Sequence, residues 1–307
     1  MIFMNTIKKL ISNSFFWRRF RYRMIVRSHA KVAAYWKPII KAYSDGRIQS
    51  YNIESPKDFG DKKIIWQYWG QGFDDKSLPD AVKICMASVD KYKGEYQIIR
   101  LSDETIKEYM DLPDFVWEKR NRGIFSRTHF SDLLRLCLLA TYGGVWLDAT
   151  IFLTQELPIE YTEYDFFMYQ RDNDEAHKEF WMQSYAYYWG WNVNYKVRAL
   201  TSIFFAKKNT HPIHVMRDLL MYYWQKENRL IDYFILQILF NELVEQRVIE
   251  NCPIVNDTYP HILQTMINGM YPWMTFDDLI KIVPIHKMTY FDETGLNKLR
   301  TLLKHGL

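Results

Sequence analysis

The segment from His129 to Thr150 constrains the fold of this chain more than any other stretch. It reads H-F-S-D-L-L-R-L-C-L-L-A-T-Y-G-G-V-W-L-D-A-T. Arg127 to Tyr142 has the apolar periodicity of an amphipathic helix, and the pair Gly143-Gly144 stops it. Val145 to Leu147 is then a short apolar strand that delivers Asp148 at its end. The sequence therefore predicts a helix that turns directly into a buried strand.

Strand-like and helix-like patterns alternate on both sides of this unit. Further strands are predicted at Lys63–Tyr68, Tyr96–Leu101, Phe166–Tyr169, Thr201–Ala206 and Ile282–Ile285. Further helices are predicted at Pro79–Lys93, from Ser102 or Asp103 to Pro113, from His211 to about Lys226, and at Leu230–Val244. This alternation predicts an α/β domain with a mixed, mostly parallel sheet flanked by helices. A chain of 307 residues accommodates one such domain, residues 56–307, behind a helical extension, residues 1–55.

The first 44 residues are strongly basic. They contain ten of the 40 Lys and Arg residues and no Asp or Glu, which leaves 30 basic against 36 acidic residues in the rest of the chain. The ten are Lys8, Lys9, Arg18, Arg19, Arg21, Arg23, Arg27, Lys31, Lys37 and Lys41. The basic character is therefore local and requires a local explanation.

Phe16, Phe20 and Met24 recur every four residues. Arg19, Arg23 and Arg27 form an adjacent row at the same spacing. This pattern favours a helix that lies on an anionic membrane surface, where each basic residue contributes about 1 kcal/mol. The alternative is a helical hairpin packed on the domain with a solvated basic face. Nucleic acid is the weaker interpretation, because no binding motif accompanies the charge.

Three cysteines, Cys85, Cys137 and Cys252, show neither metal-binding spacing nor a disulfide framework. They are expected to be core thiols in a reducing compartment. No convincing signal peptide is present, and no run reaches the roughly 18 apolar residues that span a bilayer. We therefore expect a cytoplasmic protein held peripherally at the inner face of the plasma membrane.

Asp148 is the first candidate for chemistry. Ligands of open α/β sheets bind beyond the carboxyl ends of the strands, where Asp148 is predicted to lie. A carboxylate there can hold Mg²⁺ or Mn²⁺ bridging a diphosphate, since these ions need few protein ligands. The alternative is that Asp148 only caps the next turn.

Asp132 and Arg135 share one face of the preceding helix, amid many leucines. A charged pair in such surroundings is costly unless the charges meet each other or a ligand. Their spacing is equally compatible with a structural salt bridge and with a sugar-binding pair.

The motif S-D-L-L-R, followed after six residues by Y-G-G-V-W-L-D-A-T, resembles bacterial capsular polysaccharide synthesis proteins. That family is related to GT32-type glycosyltransferases and remotely to clostridial glucosylating toxins, with a shared S-D-x-x-R … G-G-x-Y-x-D-x-D core. I-I-W-Q-Y-W-G-Q-G at Ile64–Gly72 and I-D-Y-F at Ile231–Phe234 extend the similarity. It covers roughly residues 60–290 and leaves the basic segment outside.

The resemblance implies a GT-A (Rossmann-like) fold, a UDP-sugar donor with Mn²⁺ or Mg²⁺, and transfer with retention of anomeric configuration. Asp148 matches the first aspartate of the D-x-D motif, and Thr150 replaces the second. His286 is therefore a candidate to complete the metal shell, and Lys287 would neutralise the departing phosphate. The expected reaction moves a hexose to a saccharide acceptor, lipid-linked or free, in capsular or extracellular polysaccharide synthesis.

Other residues receive roles from the same resemblance. Asp132 and Arg135 match the pair that contacts ribose and donor sugar, and Asp232 matches a carboxylate near the reactive face of that sugar. The donor-binding group is completed by Trp66, Gln67, Trp69 and Trp146, of which Trp66 or Trp69 would stack on uracil. Core packing is the alternative for the tryptophans, and a first-turn helix position is the alternative for Asp232.

Aromatic residues between 181 and 191 form an acceptor platform or a core, and we expect about half of them in each. They are Trp181, Tyr185, Tyr187, Tyr188, Trp189 and Trp191.

Two other functions compete with the transferase. A metal-dependent hydrolase or nucleotidyltransferase would require a second carboxylate or a basic histidine near Asp148. A non-catalytic scaffold of a polysaccharide assembly complex would agree with Thr150 as the mark of a decayed site.

Overall fold

The computed structural model describes residues 15–74, 76, 78–289 and 291–305. The helices are α1 (Phe15–Ser44), α2 (Asp80–Tyr92), α3 (Asp114–Asn121), α4 (Arg127–Tyr142), α5 (Lys178–Ser184), α6 (His211–Lys226), α7 (Ile235–Glu245), α8 (Tyr259–Ile267), α9 (Phe276–Ile282) and α10 (Glu293–His305). The strands are β1 (Ile64–Tyr68), β2 (Gln97–Leu101), β3 (Gly144–Leu147), β4 (Ile151–Leu153), β5 (Phe166–Phe167), β6 (Ile203–Ala206) and β7 (Ile285–Lys287).

The central sheet has the strand order β2-β1-β3-β6-β5. Strand β1 is parallel to β2 and β3, whereas β6 is antiparallel to β3 and β5, so four of the five strands point the same way. Helix α4 packs on α6 and on β3, and α2 packs against β4. The predicted mixed, mostly parallel sheet flanked by helices, with an N-terminal helix, is confirmed.

The turn from α4 into β3 explains the glycine pair. Gly143 ends the helix with a φ of 70°, and Gly144 follows with a φ of 101°. A Cβ atom at Gly144 would lie 2.5 Å from the carbonyl oxygen of Ile64 on β1. Only glycine combines this backbone conformation with so close an approach to the neighbouring strand.

Several predicted boundaries were wrong. Pro113 precedes α3 instead of ending a helix, because a residue without an N–H fits a helix start. The stretch after Ser102 forms only a 3₁₀ turn at Ile106–Glu108. Helix α7 begins at Ile235, five residues later than predicted. Ile282 ends α9, and the last strand begins only at Ile285.

Helix α1 is a single long helix whose second half packs on the domain. Trp36 and Ile40 are buried, and the helix contacts α6 and α7. Near its start, Trp17, Phe20 and Met24 are instead 43%, 52% and 54% exposed. Lys8 and Lys9 lie outside the described residues, as does the side chain of Phe16. Across the described ranges, no helix combines the length and apolar content that a bilayer crossing requires.

Candidate functional site

Asp148 stands at the end of β3 and is contacted by three side-chain donors. Trp146 Nε1 donates to its Oδ1 over 2.8 Å, and Arg135 Nη2 lies 3.2 Å from the same oxygen. Lys287 Nζ donates to Oδ2 over 2.8 Å. Burial raises the pKa of Asp148, but Lys287 and Arg135 outweigh it and hold that pKa below its ordinary value. The carboxylate therefore stays ionised.

Strand β7 brings Lys287 to this position from the far end of the chain. It pairs antiparallel with β4, so that Lys287 lies opposite Ile151, three residues after Asp148. Consecutive residues of a strand face opposite sides, so His286 points the other way. Its Nε2 lies 3.1 Å from Thr154 Oγ1, and burial lowers its pKa to about 3. The structure therefore brings Lys287 to Asp148, and it does not bring His286 there.

Asp132 and Arg135 form the predicted pair and extend the cluster beneath Asp148. Asp132 Oδ1 lies 3.0 Å from Arg135 Nη1, which also donates to the carbonyl oxygen of Thr201 over 2.7 Å. The guanidinium stands 5.1 Å from the centre of the Trp146 ring. Burial raises the pKa of Asp132 to about 6, against the opposing effect of Arg135. Two carboxylates and two cations thus make one connected, charge-balanced group.

The residues at the end of β1 divide between core and site. Trp66 is fully buried, and its Nε1 donates to the carbonyl oxygen of Gly143 over 2.9 Å. Gln67 is buried and accepts a hydrogen bond from Arg100 over 3.0 Å. Trp69 is partly exposed and packs against the small cluster that contains Ala149, the neighbour of Asp148. Of the two tryptophans predicted as stacking candidates, Trp69 is the one beside the site.

Asp232 lies in the turn before α7 with both carboxylate oxygens engaged. Oδ2 accepts from Ser28 Oγ of α1 over 2.7 Å, and Oδ1 accepts from the N–H of Phe234 over 2.9 Å. These contacts tie the N-terminal helix to the start of α7. No hydrogen bond or ion pair among the described residues joins Asp232 to Asp148.

The donor set at Asp148 fits a loosely held ion better than a preformed metal site. Within the described part of the chain, no group of three or more His, Cys, Asp or Glu residues could hold a metal. Asp148 offers a carboxylate with a side chain that is 26% exposed, and Thr150 follows in the same turn with a neutral hydroxyl. Mg²⁺ and Mn²⁺ accept such oxygen ligands when substrate phosphates and water supply the others.

The aromatic residues between 181 and 191 divide as expected. Trp181, Tyr188 and Trp189 are buried, whereas Tyr185 and Tyr187 are about half exposed.

A buried ion pair that packs against these aromatic residues was not predicted from the sequence. Arg171 is fully buried, pairs with Asp257 over 3.0 Å and lies 4.5 Å from the ring centre of Trp189. No local pattern marks this pair, because its members are 86 residues apart.

Comparison with known proteins gives a family match over nearly the whole chain. The model of the capsular polysaccharide synthesis protein family matches residues 17–305. The match therefore includes most of the basic N-terminal helix, which the sequence analysis had placed outside the resemblance.

Two curated proteins are similar over shorter stretches. O-glycosyltransferase PaGT of Phomopsis amygdali is 29% identical over 105 residues, or 31% of this chain and 25% of that protein. Glycosyltransferase afumC of Aspergillus fumigatus is 24% identical over 118 residues, or 36% of this chain and 30% of that protein. The matched stretches thus span less than a third of either relative.

Among solved structures, one titled PaToxG Glycosyltransferase aligns with 92% of this chain and 98% of its own. The sequence identity is 13% and the TM-score is 0.37, so this likeness carries no weight for fold or activity.

Proposed function

Since this chain belongs to the family of capsular polysaccharide synthesis proteins, we propose that it is a retaining glycosyltransferase of the GT-A type. It would move a hexose from a UDP-sugar to a saccharide acceptor, lipid-linked or free, in capsular or extracellular polysaccharide synthesis. The observation that carries the proposal is the group around Asp148 at the carboxyl end of β3. There, Lys287 and Arg135 lie on one carboxylate at the sheet edge where α/β proteins bind their ligands.

The donor would lie across this group with its base toward Trp69. Trp69 is partly exposed beside Ala149, and an indole face can stack on uracil. Asp132 would accept hydrogen bonds from hydroxyls of ribose and donor sugar, and Arg135 would donate to them. Trp146 would hold Asp148 in orientation through its indole N–H, which already donates to that carboxylate.

Lys287 would stabilise the UDP leaving group. Its ammonium is part-buried and fixed on Asp148, so it needs little rearrangement to meet a developing negative charge. Preorganised donors of this kind contribute about 3–4 kcal/mol each to transition-state stabilisation. Transfer with retention and without a protein nucleophile would require the acceptor hydroxyl to attack from the leaving-group side, with Asp232 near the reactive face of the sugar.

Mn²⁺ or Mg²⁺ would join the site with the donor. Asp148 would supply its carboxylate and Thr150 its hydroxyl. The bound ion would supply further positive charge against the diphosphate. Because Lys287, Trp146 and Arg135 already contact this carboxylate, Asp148 would share its oxygens between these donors and the ion.

The N-terminal helix would hold the protein on an anionic membrane surface at the cytoplasmic face. Trp17, Phe20 and Met24 expose apolar side chains near its start, among arginines that include the exposed Arg23 and Arg27. Co-sedimentation with liposomes tests this part by comparing the wild type with the triple variant Trp17→Ser, Phe20→Ser and Met24→Ser, because Trp36 and Ile40 of the same helix belong to the core and a deletion of α1 would disturb it. Equal binding of both proteins would rule out the membrane role of α1.

The reaction is tested by UDP release from a panel of UDP-sugars with Mn²⁺, and again after chelation by EDTA. We expect turnover of at least one donor, its loss in Asp148→Ala, and its retention in the exposed control Asp277→Ala. A thermal-shift screen of the same donors identifies which nucleotide and sugar bind. Activity that survives EDTA would mean that the reaction needs no divalent ion and that Lys287 and Arg135 are the cations that act on the diphosphate.

A non-catalytic scaffold is the second candidate. The neutral Thr150 favours it, because it stands where the D-x-D motif has its second carboxylate. If no donor is bound or turned over, and Asp148→Ala is indistinguishable from the wild type, the scaffold replaces the transferase.

A further inference from the structure

A second basic site lies away from Asp148, between the first turns of α1 and helix α5. A cavity of about 470 Å³ opens there. Arg18, Arg19 and Arg21 line it on the side of α1, while Met182 and Trp189 line it on the other. Among the described residues of the lining, Glu179 is the single acidic one, so the arginines there outnumber the carboxylates three to one. The cavity therefore has the charge of an anion-binding site.

One of these arginines is incompletely satisfied. Arg21 Nε is buried and has no hydrogen-bond partner among the described residues. A buried donor without a hydrogen-bond partner destabilises the folded protein, and an acceptor on a bound ligand would remove this penalty. Arginine guanidinium groups bind phosphate oxygens through paired hydrogen bonds, which makes a phosphate group a suitable occupant.

The cavity lies between an apolar surface and the inner part of the protein. Trp17, Phe20 and Met24 are exposed on the same first turns of α1. On the other side, the buried ring of Trp189 closes the cavity and lies 5.2 Å from the ring of His261. A ligand with an apolar tail next to a phosphate group would fit this order from the surface into the cavity.

We propose that this cavity binds the phosphate or diphosphate of a lipid-linked saccharide acceptor. The proposal rests on the proposed transferase function and names the residues that hold the acceptor. The tail would lie along Trp17 and Phe20, and the phosphates would meet Arg18, Arg19 and Arg21. In the proposed function the donor diphosphate lies at Lys287 and Arg135. The donor diphosphate and the acceptor phosphate would therefore bind at separate sites.

Farnesyl diphosphate is a soluble probe for this chemistry. Its binding to the full chain can be followed by tryptophan fluorescence, because Trp189 lines the cavity. We expect the triple variant Arg18→Gln, Arg19→Gln and Arg21→Gln to bind the probe at least tenfold more weakly. The matched control replaces three exposed basic residues from the later part of the same helix that do not line the cavity, in the form Lys31→Gln, Lys37→Gln and Lys41→Gln. We expect it to bind within twofold of the wild type.

Two competitors distinguish the sources of phosphate. Inorganic pyrophosphate should displace the probe, since the arginines recognise the charged end. Glycerophosphoglycerol, the soluble deacylated form of phosphatidylglycerol, should not displace it, and displacement by this headgroup would overturn the proposal in favour of a membrane headgroup site. An equal loss of probe binding in both triple variants would overturn the proposal as well, because the total positive charge of the helix, and not the cavity, would then explain the binding.

The outcome is separable from that of the transferase reaction. If the wild type turns over a UDP-sugar but all variants bind the probe alike, the cavity proposal alone is wrong. If binding depends on the three cavity arginines but no donor is turned over, the anion site stands and the reaction is wrong. Circular dichroism of both triple variants checks that each remains folded.

Discussion

Asp132 offers the sharpest test of the site, because its burial ties stability to pH. The side chain is nearly inaccessible, and burial raises its pKa from 3.8 to about 6 although Arg135 lies 3.0 Å away. Between these two pH values the unfolded chain has released the proton that the folded chain still holds. The contribution of Asp132 to stability must therefore fall as the pH rises through this window and remain reduced above pH 6.

The magnitude follows from the two pKa values. Each tenfold change in proton affinity is worth about 1.4 kcal/mol, so ionised Asp132 lowers the free energy of unfolding by about 3 kcal/mol. Asp132→Asn removes this ionisation and keeps the shape of the side chain. We expect the variant to be more stable than the wild type by up to about 3 kcal/mol at pH 7.5, with the difference approaching zero near pH 4.

The assay is urea unfolding followed by tryptophan fluorescence at pH 4, 6 and 7.5. The exposed control Asp61→Asn should show no such pH-dependent gain. Donor turnover should fall at least about tenfold in Asp132→Asn if the carboxylate binds sugar hydroxyls, since hydrogen bonds to charged groups contribute about 1.5–3 kcal/mol. Parallel stability curves for wild type and Asp132→Asn would refute the reasoning from burial.

Three further predictions follow from single contacts. Lys287→Met should lower kcat of UDP release by roughly 100-fold or more, whereas Lys281→Met, an exposed lysine of α9, should leave it unchanged. Gly144→Ala should destabilise by more than about 3 kcal/mol in urea unfolding, because its Cβ meets backbone, whereas Gly46→Ala, with open space and a φ of 71°, should cost only about 1 kcal/mol. Asp257→Ala should cost about 3–5 kcal/mol by the same assay, since it leaves a buried guanidinium unpaired; a loss below 1 kcal/mol would show that the pair is dispensable.

The unit from α4 to Asp148 could be predicted because its signals are local. Helical periodicity, two glycines and three apolar residues fall within a single stretch, and α4 begins and ends at the predicted residues. The contact between Arg135 and Asp148 was not predicted, although both residues lie in this stretch; it forms because the strand returns past the helix face that carries the arginine. Local spacing was sufficient for the elements and for the pair Asp132 and Arg135.

That Lys287 reaches Asp148 and His286 does not could not be predicted from sequence, which assigned both residues to the site. Adjacent strand residues face opposite sides, so the register of β7 on β4 decides which of them meets Asp148. That register depends on a pairing between segments more than a hundred residues apart. The same limit applies to Asp232, whose partner Ser28 is 204 residues away. Charged residues were thus found from the sequence, but their partners were set by tertiary packing.

The charge balance of the site links these points to the donor. Without a ligand, Asp132 and Asp148 are matched by Arg135 and Lys287, so the group has no positive charge to spare. A UDP-sugar brings two phosphates, each negatively charged near neutral pH. A proton on Asp132, whose pKa is already about 6, would offset one of these two charges, and a divalent ion beside Asp148 would offset both. Donor affinity should therefore rise as the pH falls toward 6 without an ion, and lose this dependence when Mn²⁺ is present. A pH-independent affinity in EDTA would mean that the diphosphate is neutralised by residues outside this group.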